Sequence, residues 1–147
     1  MIYRSFIDQN GIKAMDITTT HYVIKHPDGR FIKKDARNSF VTCKHKPIID
    51  PYTPEVLKAK WFKSEKQALN AADRFLQDFD FAIEILKDDI NYTIRQIDST
   101  HKISSNQKWI NELEDRIKDC ESKIDYYIHS KPPKIDIAII ESVHTVK

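Results

Sequence analysis

Glycine is nearly missing from this chain of 147 residues, with only Gly11 and Gly29 present. That excludes a glycine-rich phosphate loop, which needs several residues without a Cβ around the anion. Cysteine is as scarce: Cys43 and Cys120 cannot form a disulfide framework and read as reduced thiols. Long apolar runs are absent too. The longest, Ile137-Ala138-Ile139-Ile140, is far short of the roughly 18 residues of a membrane span. The opening MIYRSFIDQN lacks the apolar core of a signal peptide, so a cytoplasmic protein without a membrane anchor is expected. The sequon Asn91-Tyr92-Thr93 has meaning only on a secretory route.

The residues that are present, 31% charged and 40% hydrophobic, are those of a globular domain with enough chain for a core. Isoleucine is common and alanine is not, a bias of AT-rich coding genomes such as those of low-GC bacteria and their phages. Charge is uneven. Residues 1–63 hold twelve Lys/Arg against six Asp/Glu, whereas residues 64–131 hold ten against fourteen. A basic part and an acidic part suit different partners.

The first 63 residues read as strands and turns. IYRSFI is apolar and aromatic, and Gln9-Asn10-Gly11 is a turn signal. GIKAMDITTTHYVIK is rich in β-branched residues. Pro27-Asp28-Gly29 then closes a hairpin, with Tyr22 and Ile24 on one strand face and Phe31 on the return. SFVTCKH suggests a further strand, KPIIDPYTPEV an irregular loop, and KAKWF a short strand or a lead-in.

At Ser64 the pattern changes. Ser64 and Gln67 fit a capping box, and no Gly or Pro follows until Pro132. Apolar residues recur at Leu69, Ala72, Leu76, Phe79, Ile83, Leu86 and Ile90, the 3–4 spacing of a heptad seam. After the polar stretch 99–107 a second seam runs through Ile110, Leu113, Ile117, Cys120, Ile124 and Tyr127. Two such seams with a short connection predict an antiparallel helical hairpin. Pro132-Pro133 stops the second helix. KIDIAIIESVHTV is then a last strand, with Ile135, Ile137 and Ile139 on one face, expected to pair with the N-terminal strands. The expected fold is α+β: a small antiparallel sheet from both chain ends carrying a long antiparallel coiled-coil hairpin. It is one domain in three parts: 1–63, 64–131 and 132–147.

Chemistry-bearing patterns are thin. Cys43-Lys44-His45 has no second ligand pair to make a zinc site. Pro27-Asp28 resembles the opening of a nuclease motif. The only acid-x-lysine, Glu121-Ser122-Lys123, falls on a helix, the wrong context for it. Asp88 and Asp89 are helix neighbours about 100° apart and do not converge. No enzyme activity, metal or cofactor is expected.

Two surfaces stand out instead. On the first helix Phe81, Ile85 and Tyr92 form a stripe off the seam. They are flanked by Asp78, Asp80, Glu84, Asp88 and Asp89. The stripe either packs on the sheet or meets another chain, a partner protein or a second copy. In the N-terminal part, Arg30, Lys33, Lys34, Arg37, Lys44 and Lys46 interleave with aromatic residues, as in a phosphate-tracking surface with stacking platforms.

YVIKHPDGRFIKK, followed later by AKWFKSEKQALNAADRF, resembles small phage-encoded accessory proteins. In those a hairpin leads through a spacer to a strand and a capped helix. The matching residues are Tyr22, Val23, Ile24, Asp28, Gly29 and Phe31, then Ala59, Phe62, Ser64, Ala68 and Ala72. The likeness spans residues 21–75 and departs in the spacer 38–54 and in the long hairpin. It brings no catalytic residue. It implies a phage or mobile-element origin and action by binding a host protein, as inhibitors of restriction or CRISPR nucleases do. On that reading the acidic stripe imitates nucleic-acid phosphates before a basic groove. The alternatives are a nucleic-acid-binding module built on the basic sheet and a structural protein dimerising through the hairpin.

Overall fold

The computed structural model describes residues 2–7, 15–42, 46–103 and 106–146. The turn expected at Gln9-Asn10-Gly11 and the Cys43-Lys44-His45 cluster lie outside them. The chain divides into two compact units. One comprises Met1–Ala36, Asp50–Arg74 and Pro132–Lys147; the other comprises Arg37–Ile49 and Phe75–Lys131.

The first unit holds a sheet of five strands: β1 (Ile2–Ile7), β2 (Met15–Lys25), β3 (Phe31–Ile32), β4 (Tyr52–Thr53) and β5 (Asp136–Val146), in the order β1-β5-β2-β3-β4. The C-terminal strand is thus central. β5 runs antiparallel to β2, from Met15 opposite Val146 to Lys25 opposite Asp136. β3 and β4 continue the antiparallel ladder, and β1 joins the far edge of β5 in parallel. Both chain ends build the sheet.

The β2–β3 turn follows its sequence closely. Gly29 has φ +96°, a conformation in which a Cβ is strained. Its N–H donates to the His26 carbonyl at 2.9 Å, and the His26 N–H donates to the Arg30 carbonyl at 2.8 Å. The core of the unit gathers Val23, Phe31, Ala59, Ala138 and Ile140, with Val56 and Trp61 partly buried against it. The deeper face of β5 therefore carries Ala138 and Ile140, while Ile135, Ile137 and Ile139 are half-buried. Period-two patterning marked the strand, but apolar residues on both faces left the inner face ambiguous.

KPIIDPYTPEV is not wholly irregular: it contains β4, placed where Thr53 pairs Phe31 and Tyr52 pairs Ile32. KAKWF is a lead-in fastened by two isolated bridges, Lys33 with Ala59 and Tyr22 with Phe62.

The second unit is helical. α1 (Glu65–Ile103) begins in the first unit and continues through the second; α2 (Gln107–Ser130) lies wholly in the second. The Ser64 hydroxyl accepts from the Gln67 N–H at 3.1 Å, as the capping box requires. Asn106 caps α2 by accepting from the Trp109 N–H at 3.2 Å. α1 extends through Ser99–Ile103, so the connection between the helices is shorter than the polar stretch suggests. Within the second unit, Phe79 meets Tyr127, Asp80 meets Lys131, and Asp89 meets Arg116, an antiparallel pairing.

The seam of α1 keeps Ala72, Phe79 and Leu86 in their expected places, and its other positions fall one residue earlier. Ala68, Ala72, Phe75, Phe79, Ala82 and Leu86 are buried, and Thr93 ends the row. Leu69 is 48% exposed, and Leu76, Ile83 and Ile90 are only half-buried. Alanine allows close approach, so the inner column uses small residues where a reading by apolar size chooses leucine and isoleucine. Asp89 occupies that inner column.

SFVTCKH forms no strand among its described residues. Ala36–Ser39 is a 3₁₀ turn, and the chain after it is held by side chains rather than by a ladder.

Candidate functional site: the outer face of the helical hairpin

In the helical unit, the chain at 39–42 is anchored on Tyr127, which is fully buried. The Tyr127 hydroxyl accepts from the Val41 N–H and donates to the Ser39 carbonyl at 2.9 Å. Burial raises its phenol pKa above the ordinary value. Phe40 stacks on Tyr127 with centroids 5.6 Å apart and meets Phe79 edge-on at 4.9 Å; Phe75 meets Phe79 edge-on at 5.0 Å. Four aromatic rings thus tie a segment without regular structure to the hairpin. Sequence reasoning missed this cluster, because Phe40 carries no periodic signal.

Further along the seam lies a polar layer. Asp89 accepts from Arg116 Nε at 3.2 Å and Nη2 at 2.8 Å, and the Cys120 thiol donates to the same carboxylate at 3.4 Å. Burial, first, and the carboxylate, second, push the Cys120 thiol up to about 11. Thr93, fully buried, returns its hydroxyl proton to the Asp89 carbonyl at 2.7 Å. Lys123 is 5% exposed and pairs with Asp119 at 2.9 Å.

This layer divides the expected acidic face. Asp89 turns inward to Arg116 and is not part of an outward surface. Asp80 points outward but holds Lys131 at 2.8 Å. Glu84 and Asp88 are exposed, and Asp78 is half-exposed.

Phe81, Ile85 and Tyr92, by contrast, face outward, with exposures of 59%, 50% and 53%. At one end, Phe81 and Ile85 border a groove of about 240 Å³ with Arg37, Phe40, Thr42 and Asp78. At the other, Tyr92 borders a depression of about 590 Å³ with Arg95, Gln96, Thr100 and Trp109. The stripe joins two concavities. Trp109 is 43% exposed there, and Gln96 Oε1 is buried without a partner among the described residues.

The basic residues are dispersed. Arg30 donates to Asp28 through Nε at 2.8 Å, lies 3.6 Å from Asp50 and sits 4.5 Å above the Tyr52 ring, so it is occupied in the turn. Lys33 and Lys34 belong to the sheet unit and Arg37 to the helical one. Lys46 is exposed, and Lys44 lies outside the described residues. Among the described residues no cluster of three or more His, Cys, Asp or Glu is placed to hold a metal ion, and no helix is long and apolar enough to cross a membrane.

Comparison with protein-family models, with curated proteins and with solved structures found no match to this chain.

Proposed function

We propose that this protein acts by binding another protein, without chemistry of its own, and that the outer stripe of α1 is the surface that docks. One observation carries the reading: three large apolar side chains, Phe81, Ile85 and Tyr92, stand exposed along one helix face between two concavities. Folding alone gives no reason for this row, and burying the exposed half of each such side chain in a complex contributes on the order of 1 kcal/mol before the costs of association.

Charge indicates the partner's chemistry. Asp78, Glu84 and Asp88 flank the stripe against Arg37 and Arg95 at its two ends, an excess of carboxylate that favours a basic surface of the kind that handles nucleic acid. With the resemblance of residues 21–75 to phage accessory proteins, the reading becomes an inhibitor that occupies the nucleic-acid groove of a host defence enzyme.

The test is capture from nuclease-treated bacterial lysate by the tagged protein and by a Phe81→Glu/Ile85→Glu variant. Both residues are exposed, so the variant is expected to melt like the parent. The expected result is a basic protein retained by the parent and reduced at least tenfold by the variant. Equal retention by both removes the stripe as the docking surface.

A further inference from the structure

In the sheet unit, and independently of the stripe, a cavity of about 460 Å³ is lined by Lys34, Asp35, Leu57, Lys60 and Trp61. Its walls are built rather than incidental. The Lys34 N–H donates to the Lys58 carbonyl at 3.3 Å, and the Lys60 N–H donates to the Ile32 carbonyl at 3.1 Å, on either side of the Lys33–Ala59 bridge. Trp61 is fixed by its indole N–H, which donates to the Val56 carbonyl at 2.9 Å, and it packs partly against the core. Asp35 holds a left-handed backbone, φ 59°, at the rim.

Two features at this cavity have no role in the fold. Leu57 is 74% exposed, the most exposed large apolar residue described, and it stands beside an indole. Lys34 and Lys60 form no ion pair with another described residue, whereas nearby Lys58 is paired with Glu55 and Arg30 with Asp28. An aromatic and aliphatic wall beside two ammonium groups that outnumber the single carboxylate of the lining fits a flat ring joined to negatively charged groups.

We propose that this cavity is a binding site for single-stranded nucleic acid. One base stacks on Trp61 against Leu57, and Lys34 and Lys60 hold the flanking phosphates. Asp35 is the one carboxylate of the lining and offers an acceptor to an exocyclic amino group. The cavity is open, and its phosphate contacts are lysines rather than a cradle of backbone amides. That suits a strand passing through better than the triphosphate of a free nucleotide. Lys33 and Lys63, close in sequence, add to the positive character of this part of the chain.

The chain has two tryptophans, so Trp109→Phe leaves Trp61 as the sole indole reporter in the full-length protein. An eight-residue oligothymidylate is titrated into this variant while tryptophan emission is followed. Saturable quenching is expected with Kd on the order of 10⁻⁴–10⁻⁶ M near physiological salt. The slope of log K against log salt is expected near −1.4, about −0.7 for each of two phosphates. Lys34→Ala with Lys60→Ala should weaken binding at least tenfold. Both lysines are exposed or at the rim, so this variant keeps the test valid even where a Trp61 substitution disturbs the core. Three results would overturn the proposal: no quenching at 20 mM salt, equal binding by the lysine variant, or equal quenching by inorganic polyphosphate, which has no bases. Binding of thymidine monophosphate but not of the oligomer would overturn the strand reading as well. None of these outcomes bears on the α1 stripe, which uses other residues in the other unit.

Discussion

At Tyr127 a single hydroxyl does what a strand was expected to do. Ser39 and Val41 are buried, and their backbone groups need partners away from water. The phenol supplies both, accepting from one and donating to the other. Tyr127→Phe keeps the ring and removes both bonds. It is expected to cost about 1–3 kcal/mol, read as a lower urea midpoint with an unchanged slope. A loss under about 0.5 kcal/mol would mean that these groups find other partners.

Asp28 argues at the same scale. The side-chain hydrogen bond from Arg30 is the largest cause that holds its carboxyl at about 2, below an ordinary 3.8. The folded value is the lower one, so the stabilisation is fully present above pH 3.8 and is lost as pH falls through about 2. The carboxylate is 41% exposed, so solvent screens the effect. Asp28→Asn should flatten the acid limb of stability between those two values. An acid limb identical to the parent's would show that the turn does not contribute to it.

At the scale of elements, the two helices are joined by a seam that is apolar at Phe79 and Leu86 and polar at Asp89. A helical hairpin with a uniform seam can slip by a heptad at small cost. A charge pair placed in the seam makes the wrong registers costly, because the carboxylate and guanidinium would each lose their partner. Arg116 and Asp89 meet that description, with side-chain exposures of 36% and 19%. A double-mutant cycle with Asp89→Ala and Arg116→Ala is expected to give a coupling of about 1 kcal/mol, reduced by the partial exposure of Arg116. A coupling near zero would assign the register to the apolar layers alone. A charge reversal at Asp89 would therefore disturb folding and is a poor probe of partner binding; Asp88, exposed beside it, is the better one.

At the scale of the molecule, the two proposed surfaces fall in separate units. The sheet unit carries Lys34, Lys60 and Trp61; the helical unit carries the Phe81, Ile85 and Tyr92 stripe with its carboxylates. The charge count along the sequence, basic in residues 1–63 and acidic in 64–131, follows this division only in part, because Arg37, Lys44 and Lys46 fall in the helical unit. The proposed protein contact and the proposed strand site are thus separable by mutation, one unit at a time.

The sequence by itself determined the elements whose causes are local. Pro27-Asp28-Gly29 made the turn, Ser64 capped α1, Pro132-Pro133 ended α2, and the β-branched runs at both chain ends became the sheet. Each rests on backbone preferences or on a period within a few residues. Tertiary structure alone decided which face of α1 is inward, because Leu69 and Ala68 differ by one position and only the neighbours choose between them. It decided that Asp89 is a seam residue and Asp88 an exposed one, that Tyr127 anchors the chain at 39–42, and that Trp61 lines a cavity with Lys34. Those facts depend on residues that are distant in the chain and adjacent in space, for which a linear pattern carries no signal.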